Sequence, residues 1–143
     1  MKTKIFILFA LLFGLISYRA YSQAGLGLGS GLYNIYDVNT IETISGEVAS
    51  FEKVFSGNNT TYGITLALYS GNGQISVHLG PSWFVENQEI KITEGDYINV
   101  TGSRVFYHGN QIIIAKEIMK ENKVLLLRSD SGYPLWAAMP DKY

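Results

Sequence analysis

Ile75-Ser76-Val77-His78-Leu79-Gly80-Pro81-Ser82-Trp83-Phe84-Val85-Glu86-Asn87-Gln88 is the stretch in which the chain changes its period. Ile75, Val77 and Leu79 alternate with Ser76 and His78, the period of a strand with one buried face. Gly80-Pro81 then breaks the alternation. Proline suits the first position of a helix, and Ser82 to Gln88 is long enough for two helical turns. Upstream lie two more alternating runs. Ile44, Gly46 and Val48 alternate with Ser45, Glu47 and Ala49 in a strand that runs toward Val54, and Ser56-Gly57-Asn58-Asn59 makes a turn. Ile64, Leu66 and Leu68 alternate with Thr65, Ala67 and Tyr69. Ser70-Gly71-Asn72-Gly73 joins that strand to the next as a hairpin, because glycine and asparagine accept positive φ cheaply.

Downstream, Ile90 and Ile92 suggest a short extended piece, and Gly95-Asp96 turns the chain into a fourth strand, Tyr97 to Tyr107. Gly102 in the middle of that strand marks a bulge or a barrel bend. His108-Gly109-Asn110 is a further turn and Gln111 to Met119 a fifth strand. Lys123–Arg128 and Tyr133–Ala137 are expected to form a closing hairpin around Ser129-Asp130-Ser131-Gly132. Three strands, one short helix and two more strands is the order of the OB-fold, a five-stranded Greek-key barrel. The fold expected is therefore mainly β, an OB-fold-like small barrel with a C-terminal hairpin. A small β-sandwich is the alternative, and the lone helix after the third strand disfavours it.

The N-terminus reads as a targeting segment. Met1-Lys2-Thr3-Lys4 is followed by an apolar run from Ile5 to Ile16, and Ala20-Tyr21-Ser22 offers small residues for cleavage before Gln23. These are the parts of a secretory signal. A retained anchor needs about 20 apolar residues, and Ser17-Tyr18-Arg19 ends the run too early. The expected organisation is a signal peptide over 1–22, a glycine-rich linker and N-terminal segment over 23–40, and the barrel over 41–143. Export places the chain in the periplasm or outside the cell. Of the 11 basic residues, Lys2, Lys4 and Arg19 leave with the signal, so 8 face all 12 acidic ones and the mature net charge is −4. Nucleic acid is disfavoured, because its binders usually rely on basic surface and counterion release. Cysteine is absent, which excludes disulfides, iron–sulfur ligation and thiolate zinc sites.

Three segments together carry a family resemblance: Val77-His78-Leu79-Gly80-Pro81-Ser82-Trp83-Phe84, then Gly95-Asp96-Tyr97-Ile98-Asn99-Val100-Thr101-Gly102-Ser103, and finally Leu127-Arg128-Ser129-Asp130-Ser131-Gly132-Tyr133-Pro134-Leu135-Trp136. The chain resembles, from about Ile41 to Trp136, exported bacterial OB-like domains that include the domain shared by the magnetosome proteins MamS and MamX. The resemblance implies a periplasmic or envelope domain, tied in some relatives to iron-mineral or redox biology. Its haem-binding relatives carry Cys-x-x-Cys-His motifs, which a chain without cysteine cannot supply. No cofactor is therefore expected, and the resemblance transfers no catalytic residue.

The residues themselves argue for binding over catalysis. His78 and His108 are the only histidines. They lie far apart in the expected fold, so no metal site is assigned. No Gly-x-Ser-x-Gly elbow is present, and Glu86, Glu89, Glu94 and Asp96 read as solvated loop charges, so no enzyme is expected. In OB-folds the face of strands two and three commonly holds the ligand. By alternation that face carries Tyr69, His78, Thr65 and Ser76, with His78 expected in solvent. Its ligand is expected to be a peptide, a sugar or an envelope protein. Trp83 and Phe84 are assigned to the barrel core, and Arg128 with Trp136 to a cation–π clamp on the final hairpin. Two other roles stay open: a structural or assembly partner docking through Leu32–Tyr36 and the Trp136 hairpin, or a metal-handling accessory.

Overall fold

A computed structural model describes residues 31–55 and 62–139. The expected signal peptide, the glycine-rich linker up to residue 30 and the turn at 56–59 lie outside the described residues. The elements are a short helix α1 (Gly31–Ile35), a 3₁₀ turn (Val38–Thr40), β1 (Ile41–Phe55), β2 (Tyr62–Ser70) and β3 (Gly73–Pro81). They continue with helix α2 (Ser82–Val85), β4 (Tyr97–Tyr107), β5 (Asn110–Lys120), β6 (Lys123–Leu126) and a 3₁₀ turn (Leu135–Ala138). None of the described helices is long and apolar enough to cross a membrane.

The long first strand organises the sheet. Ile41 to Glu47 pair antiparallel with β4, and Glu47 to Phe55 pair antiparallel with β2. One strand can serve two neighbours in this way only by bending. The bend falls at Gly46, where an added Cβ would be driven into the Tyr69 carbonyl oxygen, and at a register shift between Val48 and Ser50. Strand β3 pairs with β2 along its length and with β5 in parallel through Ser76–Ile112, Val77–Ile113 and His78–Ile114. The pairings β1–β2–β3–β5–β4–β1 thus close on themselves, in the strand connection of the OB barrel. The bulge expected at Gly102 is present as a register shift between Thr101 and Gly102.

Alternation fills the barrel. Ile64, Leu66, Leu68, Val77, Leu79, Ile98, Val100, Ile113 and Ile118 point inward with Phe84, Val85, Ile90 and Ile92 from α2 and the loop behind it. Ile90 and Ile92 supply core without forming the extended piece expected of them. Helix α2 is one turn where two were expected. The side chains that follow it take over its carbonyls: Asn87 Nδ2 donates to Trp83 O and Gln88 Nε2 to Phe84 O, which competes with helix continuation.

The C-terminal hairpin also differs. Lys123–Leu126 pairs with β5, not with residues 133–137, and the expected hairpin is reduced to one bridge, Arg128 to Pro134. Strand β5 offered a free edge beyond the point where β3 leaves it, and Pro134 has no N–H to extend a ladder.

Outside the barrel lies a second, smaller apolar cluster. Leu32, Ile35 and Tyr36 from α1 and the residue after it pack on Ile112 and Ile114, with Val105 and Tyr107. The C-terminal loop meets the same segment: Tyr33 stacks edge-on against Tyr133 at 6.0 Å, and the Tyr36 ring lies where a side chain on Gly132 would be. Leu32, assigned to docking on a partner, is buried against this chain's own sheet.

Candidate functional site

The four residues expected on one ligand face separate into two places. Tyr69 stands at the far end of β2, 57% exposed. Thr65 is four residues back along the strand, about 13 Å at the usual rise, and opposes His78 across β3. Ser76 lies half-buried on β3 opposite Ala67 on β2 and Ile112 on β5.

His78 corrects the sequence reading. Its backbone phase is outward as expected, but its side chain is fully buried, at 0% exposure. The outer side of the β3–β5 seam is not open to solvent: His78 is in register with Ile114, which carries the second apolar cluster, and the Arg128 guanidinium stands nearby. Thr65 Oγ1 is 3.5 Å from His78 Nδ1, while Nε2 is buried without a hydrogen-bond partner, as is Tyr36 Oη. Burial first, and the Arg128 charge second, bring the imidazole from its usual 6.5 to about 4. The unfolded chain therefore takes up a proton near pH 6.5 that the folded chain refuses until about pH 4. Stability is full above pH 6.5 and is lost as pH falls through that window, by roughly 3 kcal/mol in total. Urea unfolding of the wild type and His78→Gln at pH 7 and pH 4.5 is expected to show a shallower pH dependence in the variant. Equal loss of stability in both would assign the effect to other groups.

Arg128 is the other buried polar group on this seam, 5% exposed. Its Nη1 donates to Leu79 O on β3, at 3.0 Å, and to Ala115 O on β5. Its Cζ lies 4.8 Å from the Trp136 ring centroid. Trp136 packs over Gly80 and against Phe84 at 5.5 Å. Trp83 is half-buried, edge-on to Phe84. These four side chains make one continuous contact that joins the barrel's helix to the C-terminal loop, a structural cluster with little open surface.

The open surface is elsewhere, around Tyr69. Glu47 is in register with Tyr69 on one side and with Tyr97 on the other, and paired residues share a face of the sheet. The three side chains form a row across β2, β1 and β4, with Tyr97 68% exposed and Glu47 also exposed. On the same face, Ser45 Oγ donates to Asn99 Oδ1 at 2.6 Å, and the Thr43 and Thr101 hydroxyls share a hydrogen bond of 2.7 Å. Beyond them, Met119 opposes Asn99 on one side and Val124 on the other, and Glu117 opposes Leu126. The face thus runs from aromatic, through polar, to an apolar margin of Met119, Val124 and Leu126, all well exposed.

Sequence reasoning placed Tyr69 on an outward face, as it is, and did not bring Glu47 and Tyr97 beside it, because their adjacency depends on register between strands far apart in the chain. Alternation alone puts Glu47 and Tyr97 outward, but no local signal says that they meet. Among the described residues, no group of three or more His, Asp or Glu side chains is gathered as metal ligands would be.

The closed ring of strands with one short helix after β3 places the chain in the class of OB-fold-like barrels. The sequence model of the MamS/MamX magnetosome protein family matches residues 40–125, and the chain belongs to that family. A comparison with curated protein sequences gave no match.

Proposed function

We propose that this protein is an exported, non-catalytic binding module of the cell envelope, and that its ligand or partner meets the sheet face around Tyr69. The observation that carries this reading is the exposed row of Tyr69, Glu47 and Tyr97 across three strands. Large aromatic side chains held in water on a regular sheet face gain little for the fold and much for a partner, since tyrosine is among the residues enriched at binding hot spots. The rigid barrel beneath them keeps the entropic cost of binding low. The apolar leader, Lys2 and Lys4 before it and the small residues before Gln23 support export.

A photo-crosslinking residue at Tyr69 is expected to trap a partner in the living cell, and one at Asn87 is not. The adduct is expected in the envelope fraction, with the protein's N-terminus at Gln23. Equal trapping at both positions, or none at Tyr69, would remove the face from consideration. An assembly role has one observation in its favour: β6 is the edge strand of the sheet and exposes Val124 and Leu126, the kind of edge that pairs with another chain.

A further inference from the structure

We infer that the Tyr69–Glu47–Tyr97 row is a receptor for the guanidinium of an arginine presented by a partner polypeptide. The inference rests on the reading of this face as the binding surface and names what that surface takes. Geometry supplies the first argument. Tyr69 and Tyr97 stand one strand to either side of Glu47, so their stems are two strand spacings, about 10 Å, apart. A planar group stacked between two rings needs about 7 Å at normal carbon contacts. A slight inward lean of the two rings would bring them to the separation that one flat cation needs, with Glu47 between them on β1.

Charge supplies the second. Elsewhere on the barrel Glu42 pairs with Arg104, Glu86 with Lys53, Asp96 with Lys120 and Asp130 with Lys116. Glu47 is one of seven acidic side chains among the described residues that make no salt bridge, and it differs from the rest in having a tyrosine as its cross-strand neighbour on both sides, where an opposite charge would be the favourable pairing. Two electron-rich ring faces and one carboxylate form a site complementary to a cation. The mature net charge of −4 draws a basic partner toward it. Guanidinium matches this set better than ammonium: it is planar, stacks on aromatic faces, binds carboxylate through two parallel hydrogen bonds and is less strongly hydrated.

The row is also held in place before any ligand arrives. Glu47 is the single residue of β1 paired on both sides. Next to it, Val48 N donates to Asp96 O and Gly95 N to Val48 O, both at 2.8 Å. These bonds fix the entry of β4, and with it Tyr97, against β1.

The test is titration of the full chain with three blocked pentapeptides, glycine throughout except for a central arginine, lysine or citrulline, followed by NMR of the tyrosine rings. The arginine peptide is expected to shift the Tyr69 and Tyr97 ring signals saturably. The lysine peptide is expected to bind about threefold more weakly, and the citrulline peptide, equally flat but uncharged, at least about tenfold more weakly. Glu47→Gln and Tyr97→Leu are each expected to weaken the arginine peptide by about threefold, with the thermal unfolding midpoint unchanged. Equal binding of arginine and citrulline peptides, an unaltered affinity in Glu47→Gln, or saturable binding of a neutral oligosaccharide at the same rings with no arginine effect would overturn the inference. If a photo-crosslinker at Tyr69 still traps a partner while the arginine peptide fails, the ligand class falls and the face stands. If both fail, both fall.

Discussion

Arg128→Ala is expected to cost about 4 kcal/mol of folding stability, the largest single loss among the side chains of the barrel's seam. Strands β3 and β5 close the ring through only three residue pairs. Just past the last of them, Leu79 and Ala115 turn their carbonyls to the same guanidinium. Hydrogen bonds to a charged donor contribute about 1.5–3 kcal/mol each, and the cation–π contact with Trp136 adds about 1 kcal/mol. Against these stands the cost of holding a cation out of water: burial pulls the Arg128 guanidinium below its ordinary range, and alanine relieves that. The carbonyls decide the sign, because alanine leaves both of them buried without a donor. For a domain of this size each kcal/mol is worth about 4–8 °C, so the melting midpoint is expected to fall by about 15 °C or more. Arg128→Lys is expected to recover less than half of it, since an ammonium has no flat face to lay on Trp136. Calorimetry of the three proteins at neutral pH checks both statements. A midpoint within about 3 °C of the wild type for Arg128→Ala would mean that the seam holds without it.

Gly46→Ala is expected to be as severe for a steric reason. The added Cβ meets the Tyr69 carbonyl oxygen and carbon, with the Leu68 side chain 3.1 Å away. Those first two atoms are backbone, so no rotamer change relieves the clash. Overpacking a core usually costs about 1–3 kcal/mol. Here β1 and β2 must move apart at the place where β1 changes partners, so a loss above the top of that range is expected. The same displacement separates Tyr69 from Glu47. Denaturant unfolding and the tyrosine NMR signals are therefore expected to change together, and a folded variant with wild-type ring shifts would contradict this account of the bend.

The fold was legible because its strands obey period two. Ile64, Leu66 and Leu68 face the core and Thr65, Ala67 and Tyr69 do not, and Gly102 marks a real bulge. His78 defeated the same rule. Alternation gives the side of the sheet a residue faces, and it does not say whether that side is wet. A signal was present on the neighbouring strand: Ile112-Ile113-Ile114 breaks alternation, and three consecutive apolar residues in a strand mean that both faces are covered. The C-terminal hairpin was misread because Lys123–Leu126 has two eligible partners, and local turn chemistry around Ser129–Gly132 cannot weigh a distant edge of β5 against a nearby segment. Glu47 and Tyr97 were out of reach for the same reason, since their meeting is a matter of register across fifty residues of chain.

The contact between the two ends of the described chain bears on the order in which the protein assembles. Tyr33 and Tyr133 touch although about a hundred residues separate them, and Tyr36 rests on Gly132. Contacts of such long sequence separation carry a large loop-closure entropy until the intervening strands are in place. The barrel hairpins therefore come first and the clasp of the two ends last. Interactions that form after the rate-limiting step slow unfolding without speeding folding. The clasp is therefore expected to act as a kinetic latch, with Tyr33→Ala speeding unfolding and leaving the refolding rate unchanged.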